Sequence, residues 1–183
     1  MTTGKNYLDN VRILFRYYKS LGDKALAQLD DAALCHQIHS ESNSIGVIVN
    51  HLSGNMLSRW KDFLASDGEK TWRNRDAEFE DNLKNKQEVI DAWEKGWACV
   101  FLAIDPLEES DLGRIVYIRN EGHTVLEAIN RQLAHYSYHI GQIVLLAKAI
   151  KGEDWQSLSI PKGGSGAFNQ AKFGAEKGRR NFV

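Results

Sequence analysis

The chain has 183 residues, 43% of them apolar and 26% charged, enough for one domain with its own core and far from the composition of disordered segments. Its formal net charge of −1 gives no overall pull toward nucleic acid or an anionic membrane, so any charged partner must be recognised locally. No stretch approaches the roughly 18 uninterrupted apolar residues of a membrane span, MTTGKNYLDN carries no basic segment ahead of an apolar run, and Cys35 and Cys99 form no CxxC; a cytoplasmic protein with free thiols is expected.

A first helix is expected where Tyr7, Leu8, Val11, Leu14, Phe15, Tyr18 and Leu21 recur at three- and four-residue steps, with Arg12, Arg16 and Lys19 between them. After a polar loop, the oxygens of SESNS cap a second helix whose stripe is Ile45, Ile48, Val49, Leu52, Met56, Trp60 and Phe63. SDGEKTWRNRDAEFED has no sustained period and reads as a surface loop of about sixteen residues, long enough to shape a site. Ile90, Trp93, Trp97, Phe101 and Ile104 mark a third helix that stops at Asp105-Pro106, where proline removes an amide donor. Its last turns, WACVFLAI, are apolar all round and must be covered; a homodimer contact is the preferred cover.

RIVYIRNEGHTV alternates around Asn120-Glu121-Gly122 and predicts a small β-hairpin. Thr124 and Glu127 have the spacing of a capping box that opens the fourth helix. That helix runs through Leu126, Ile129, Leu133, Tyr136, Ile140, Ile143, Val144 and Ala147, with Gly152 placed to end it in the left-handed conformation. The expected architecture is all-α, a four-helix bundle over residues 1–160. A tail follows over 161–183, rich in glycine and basic residues (Lys162, Lys172, Lys177, Arg179, Arg180) and too poor in apolar material for a core of its own.

His135 and His139 lie four residues apart, so both rings can reach one ion from one helix face. They fall roughly 60 to 100° from Tyr136 on the helical wheel, which points them along a seam between helices, where bundle metal sites are built. His51 sits at the edge of the second helix's apolar face, where a titratable ring is costly without a partner. An isolated HxxxH pair is more often structural than metal-binding; the third histidine brings the two readings level. His36, His39 and His123 fall in predicted loops and read as solvated. There is no HExxH, no ExxH and no GK[ST] after the glycines of PKGGSGAF, which excludes a zincin, a di-iron carboxylate bundle and a P-loop. Cys35 lacks a base that would make it a nucleophile.

NHLSGNMLSRW, LEAINRQLAHYSYHIGQIVLLAK and the DGEKTWRNRDAEFE and SLSIPKGGSGAFNQ segments together resemble the DinB/YfiT-like superfamily of metal-binding helical bundles. That resemblance implies His51, His135 and His139 as the ligands of one divalent metal ion, with zinc or nickel ahead of iron or manganese. Related members include thiol-dependent S-transferases and metal-dependent hydrolases.

Three imidazoles leave a divalent ion its full charge and an open position, the pattern of catalytic sites. Such an ion lowers the pKa of a water to about 7 or deprotonates a thiol. Without a general-base glutamate beside the histidines, transfer of a small-molecule thiol ranks ahead of hydrolysis. A non-catalytic dimeric metal-binding module is the alternative of another class, and nucleic-acid binding ranks last. Asn55 and Arg59 follow His51 at steps of four and are candidates to orient a substrate, although a solvated polar flank explains them equally well. Gln142 is a candidate to orient the His139 ring. The basic tail is a candidate to fold over the site and grip an anion, or else is solvated.

Overall fold

The computed structural model describes residues 1–179. Helix α1 (Thr3–Ala27) starts where the Thr2 hydroxyl accepts from the Lys5 amide, and it buries Leu8, Val11, Phe15, Ala25 and Leu26. A five-residue helix α2 (Asp31–Cys35), capped by Asp30, follows in the segment expected to be loop; a five-residue helix is too short to show a period. Helix α3 (Ile45–Trp60) is capped by Ser44, whose hydroxyl accepts from the Val47 amide. Helix α4 (Lys86–Ile104) is capped by Asn85.

Strands β1 (Ile115–Ile118) and β2 (Glu121–Thr124) pair antiparallel with Ile118 opposite Glu121. Helix α5 (Val125–Lys151) opens on the reciprocal capping box of Thr124 and Glu127. The described chain is thus mostly helical, with one two-stranded sheet. No helix among the described residues is long and apolar enough to cross a membrane.

The four long helices share one core. α3 packs along α4 and α1 along α5, while α3–α5 and α1–α4 contacts close the arrangement. Each contributes one aromatic to a central cluster: Phe15 from α1, Trp60 from α3, Trp97 from α4 and Tyr136 from α5, with ring centroids 5.7 to 6.3 Å apart in the contacting pairs. Edge-on and tilted contacts of this kind add about 0.5 to 1.5 kcal/mol each beyond their burial. The buried hydroxyl of Tyr136 accepts from the Trp60 indole at 2.8 Å and donates to the Asn55 side-chain carbonyl oxygen at 3.2 Å, whereas the Trp97 indole N–H has no partner among the described residues. Thirteen of the sixteen residues of α3 are buried, because α4, α5 and the loop over residues 61–85 all lie against it.

Several local expectations are corrected. The second helix ends at Trp60, and the positive φ of 51° at Asp62 puts Phe63 in a turn. The hairpin turns at Arg119-Asn120, both at positive φ (57° and 61°), one residue earlier than expected. This is the backbone that a two-residue hairpin with right-handed twist requires. Asp67 stabilises it by accepting the Arg119 and Asn120 amides at 2.9 Å each.

His123 lies in β2 and is half-buried, not in a loop, whereas His36 and His39 are exposed as expected. Gly152 has a positive φ of 57°, but its ψ of −122° lies outside the left-handed helical region. The end of α4 is not covered on every side: Leu102 is 81% exposed. Cys35 is half-buried at the end of α2, where burial pushes its thiol pKa up, away from a nucleophile.

The tail contains a further helix, α6 (Ser165–Phe173), which buries no residue. Arg179 bonds Asn6 at the start of α1, and among the described residues none of the tail lines the cavity at the histidines. Arg180 lies outside the described residues.

Candidate metal centre

The expected histidines meet. His51 comes from the middle of the buried helix α3, and His135 and His139 project from successive turns of α5. The Nε2 atoms of His51 and His135 are 3.3 Å apart, those of His135 and His139 are 3.1 Å apart, and the ligand atoms of all three lie within 4.8 Å of one another. Nitrogens on a tetrahedral ion at zinc's usual bond length stand about 3.3 Å apart. The spacing therefore fits three ligands of one small divalent ion.

The outer ring nitrogens settle which way the lone pairs face. His51 Nδ1 lies 2.9 Å from a carboxylate oxygen of Glu78, an acceptor only, so Nδ1 carries the proton and Nε2 presents its lone pair to the cluster. His139 Nδ1 stands in the same relation to the Gln142 carbonyl oxygen at 2.8 Å, and the Gln142 amide donates to the Tyr138 hydroxyl. Burial, then the neighbouring histidines, pushes the His135 pKa down to about 3, and burial also lowers that of His139. Both are neutral at physiological pH, the form that ligates metal.

Glu78 is the residue that sequence reasoning missed. It sits in a short 3-10 turn (Asp76–Phe79) within the long loop and is buried. Arg73 from the same loop donates to it twice, from Nε at 2.7 Å and from Nη2 at 2.8 Å. Burial alone would raise the Glu78 pKa, but the bonds from Arg73 and His51 outweigh it and hold the carboxyl below its usual range. The approach is possible because Gly54, one turn after His51, has no side chain: a Cβ there would stand 2.6 Å from the Glu78 carboxyl carbon. Phe79 then stacks on the His51 ring at 4.6 Å between centroids. No short motif marks Arg73 and Glu78 in the sequence; the length of the loop was the one available signal.

A cavity of about 360 Å³ opens beside His51 and His135. Asn55 and Arg59 both line it, and both are buried, which rules out a solvated flank. The rest of its wall includes Arg73, Arg75, Arg119, Arg131 and Gln132. Gln132 was legible in principle, as a polar residue inside the apolar stripe between Ile129 and Tyr136, and it is only 3% exposed.

The family described as Protein of unknown function (DUF1572) matches residues 2–164. The chain is a member of the DUF1572 family. No curated protein and no solved structure matches it. In this DUF1572 member all three histidines, Gln142 and the loop that carries Glu78 fall inside the matched span.

Proposed function

We propose that this DUF1572 protein is a metal-dependent enzyme of the DinB/YfiT-like superfamily, a four-helix bundle that binds one divalent ion through His51, His135 and His139 and transfers a small-molecule thiol. The observation that carries the reading is the convergence of three imidazoles whose ligand atoms lie within 4.8 Å of one another, with the outer nitrogens of His51 and His139 bonded to Glu78 and Gln142. Zinc or nickel suits an all-imidazole site. Bound there, the ion would supply the positive charge that lowers the pKa of a thiol or a water.

The chain's own residues favour the thiol. Hydrolysis calls for a general base, and Glu78, the carboxylate bonded to the histidine cluster, is already engaged. Both Glu78 oxygens accept hydrogen bonds, and its depressed pKa makes it a weak proton acceptor. Glu78 instead orients His51 and increases its basicity, as carboxylates behind ligating histidines do. The proposal includes a cytoplasmic homodimer that uses the exposed Leu102 at the end of α4.

Elemental analysis of untagged protein tests the site. About one ion per chain is expected, lost in His135→Ala while circular dichroism shows the helices retained. Thiol addition to a panel of electrophiles then tests the activity, which His139→Ala should abolish. Turnover unchanged in fully metal-free protein overturns the enzymatic reading.

A further inference from the structure

The cavity beside the histidines has an unbalanced charge. Five guanidinium groups, those of Arg59, Arg73, Arg75, Arg119 and Arg131, border it. Two carboxylates answer them. Glu78 is taken up by Arg73 and His51. A single oxygen of Glu69 is shared by Arg59 at 3.1 Å, Arg73 at 3.3 Å and Arg119 at 3.3 Å. Among the described residues no carboxylate pairs with Arg75 or Arg131; Arg75 lies over the Phe79 ring instead, 5.0 Å from its centroid. Even with Asp67, which interacts with Arg59, the wall holds more positive than negative charge, in a chain whose net charge is −1.

Arg59 is buried and Arg73 half-buried, while Arg75, Arg119 and Arg131 stand at the exposed rim; like charges so gathered repel one another, and the arrangement is favourable once an anion enters. Two buried polar atoms point the same way. Among the described residues Arg59 Nε is a buried donor without an acceptor, and the Gln132 side-chain carbonyl oxygen is a buried acceptor without a donor. Both side chains border the cavity, and a buried polar group left unmet destabilises the empty site. A ligand that brings oxyanion acceptors, and a hydroxyl or amine donor beside them, would satisfy both. The volume lies in the range of small-molecule pockets and the hollow is concave, which favours a compact ligand over a polymer backbone.

We propose that the substrate of this site is a small anionic molecule, whose carboxylate or phosphate group is bound by the arginine wall, with Arg131 and Arg75 as its free cationic contacts. This deepens the enzymatic reading, since the cavity shares His51 and His135 with the proposed metal centre. Guanidinium groups suit the task because their paired N–H groups match the two oxygens of a carboxylate or phosphate.

The test uses the full chain stripped of metal, in low-salt buffer free of phosphate. Inorganic phosphate and malonate are each titrated by calorimetry into wild type, Arg131→Ala, Arg75→Ala and Lys148→Ala. Lys148 is exposed on the same helix about 25 Å from Arg131, so its variant removes one charge away from the cavity. Saturable one-to-one binding is expected, weakened at least tenfold by either arginine variant and left within about twofold by Lys148→Ala. The tighter of the two anions distinguishes a phosphate from a carboxylate ligand. No saturable binding of either anion, or equal weakening by all three variants, overturns the proposal.

Metal content of the same samples after reconstitution separates the two readings. A protein that takes one ion but no anion retains the metal centre and loses this inference; one that binds the anion but no ion does the reverse.

Discussion

Adding one methyl group at Gly54 tests whether the Glu78 contact governs the site, because the two terms of its effect have opposite signs. In an ordinary helix interior, replacing glycine with alanine stabilises by about 0.5 to 1 kcal/mol through backbone entropy. Here the new Cβ would stand 2.6 Å from the carboxyl carbon of Glu78 and 2.9 Å from its Cγ, well inside van der Waals contact. The backbone of a helix buried on nearly every side cannot yield, so the carboxylate must.

Moving it strains or breaks its bonds to His51 and to two nitrogens of Arg73, each charge-assisted and worth about 1.5 to 3 kcal/mol. Loss of even one outweighs the propensity gain, giving a net destabilisation of about 0.5 to 2.5 kcal/mol, with about 1 to 2 kcal/mol as the central range. For a domain of this size that lowers Tm by roughly 2 to 8 °C. The His51 ring also loses its orienting partner, which should weaken metal binding about 10- to 100-fold. Thermal melts of metal-free Gly54→Ala and competition titrations against a chromophoric chelator read the two effects separately. A melting temperature that rises by a few degrees, together with an unchanged metal Kd, would refute the role assigned to Glu78.

Two further predictions concern the supports of the site. Tyr136→Phe leaves the Trp60 indole N–H buried without an acceptor, so chemical denaturation should show a loss of about 1 to 3 kcal/mol with secondary structure retained; a neutral result would mean another group takes the proton. Asp67 accepts the amides of Glu69, Arg119 and Asn120, and although burial opposes the effect, these bonds hold its carboxyl pKa below the ordinary value. A depressed folded pKa contributes stability above the unfolded value of about 3.9, and that stability is lost as pH falls through the folded value. Asp67→Asn should therefore be less stable than wild type in urea at pH 6 and approach it below about pH 4; a constant gap from pH 6 to pH 3 would exclude the carboxylate as the cause.

What could be read in the sequence follows the reach of helical periodicity. Ile48, Leu52 and Met56, or Ile129, Tyr136 and Ile140, repeat because one helix face is buried, and histidines beside such stripes are placed by the same arithmetic. His51, His135 and His139 could be brought together on paper for that reason. Arg73 and Glu78 belong to a loop whose path is set by ion pairs and by the space at Gly54, neither of which leaves a period. The arginine wall is hidden in the same way, since its members come from α3, the loop, the hairpin turn and α5 and share no spacing. The turn at Arg119-Asn120 was placed one residue off because the contact that fixes it comes from far along the chain, where the Asp67 carboxylate meets the turn's amides. The tail's charge suggested a grip on an anion, but none of its described residues lines the cavity, whose arginines come from the rest of the chain.

The bond between Trp60 and Tyr136 has a consequence for tolerance to sliding. One helix carries a single imidazole and its neighbour carries two, so the gap between them depends on how far α3 and α5 are displaced along each other. An α-helix advances 1.5 Å per residue, and the 3.3 Å between His51 and His135 would not survive even a fraction of that shift. Tyr136 adjoins His135 in sequence, and its hydroxyl is fastened to two residues of α3, Asn55 and Trp60, the first of them one turn after His51. The pair of helices is thereby pinned within one turn of the point where alignment matters, so thermal slippage at their far ends reaches the three nitrogens only after this pin has given way.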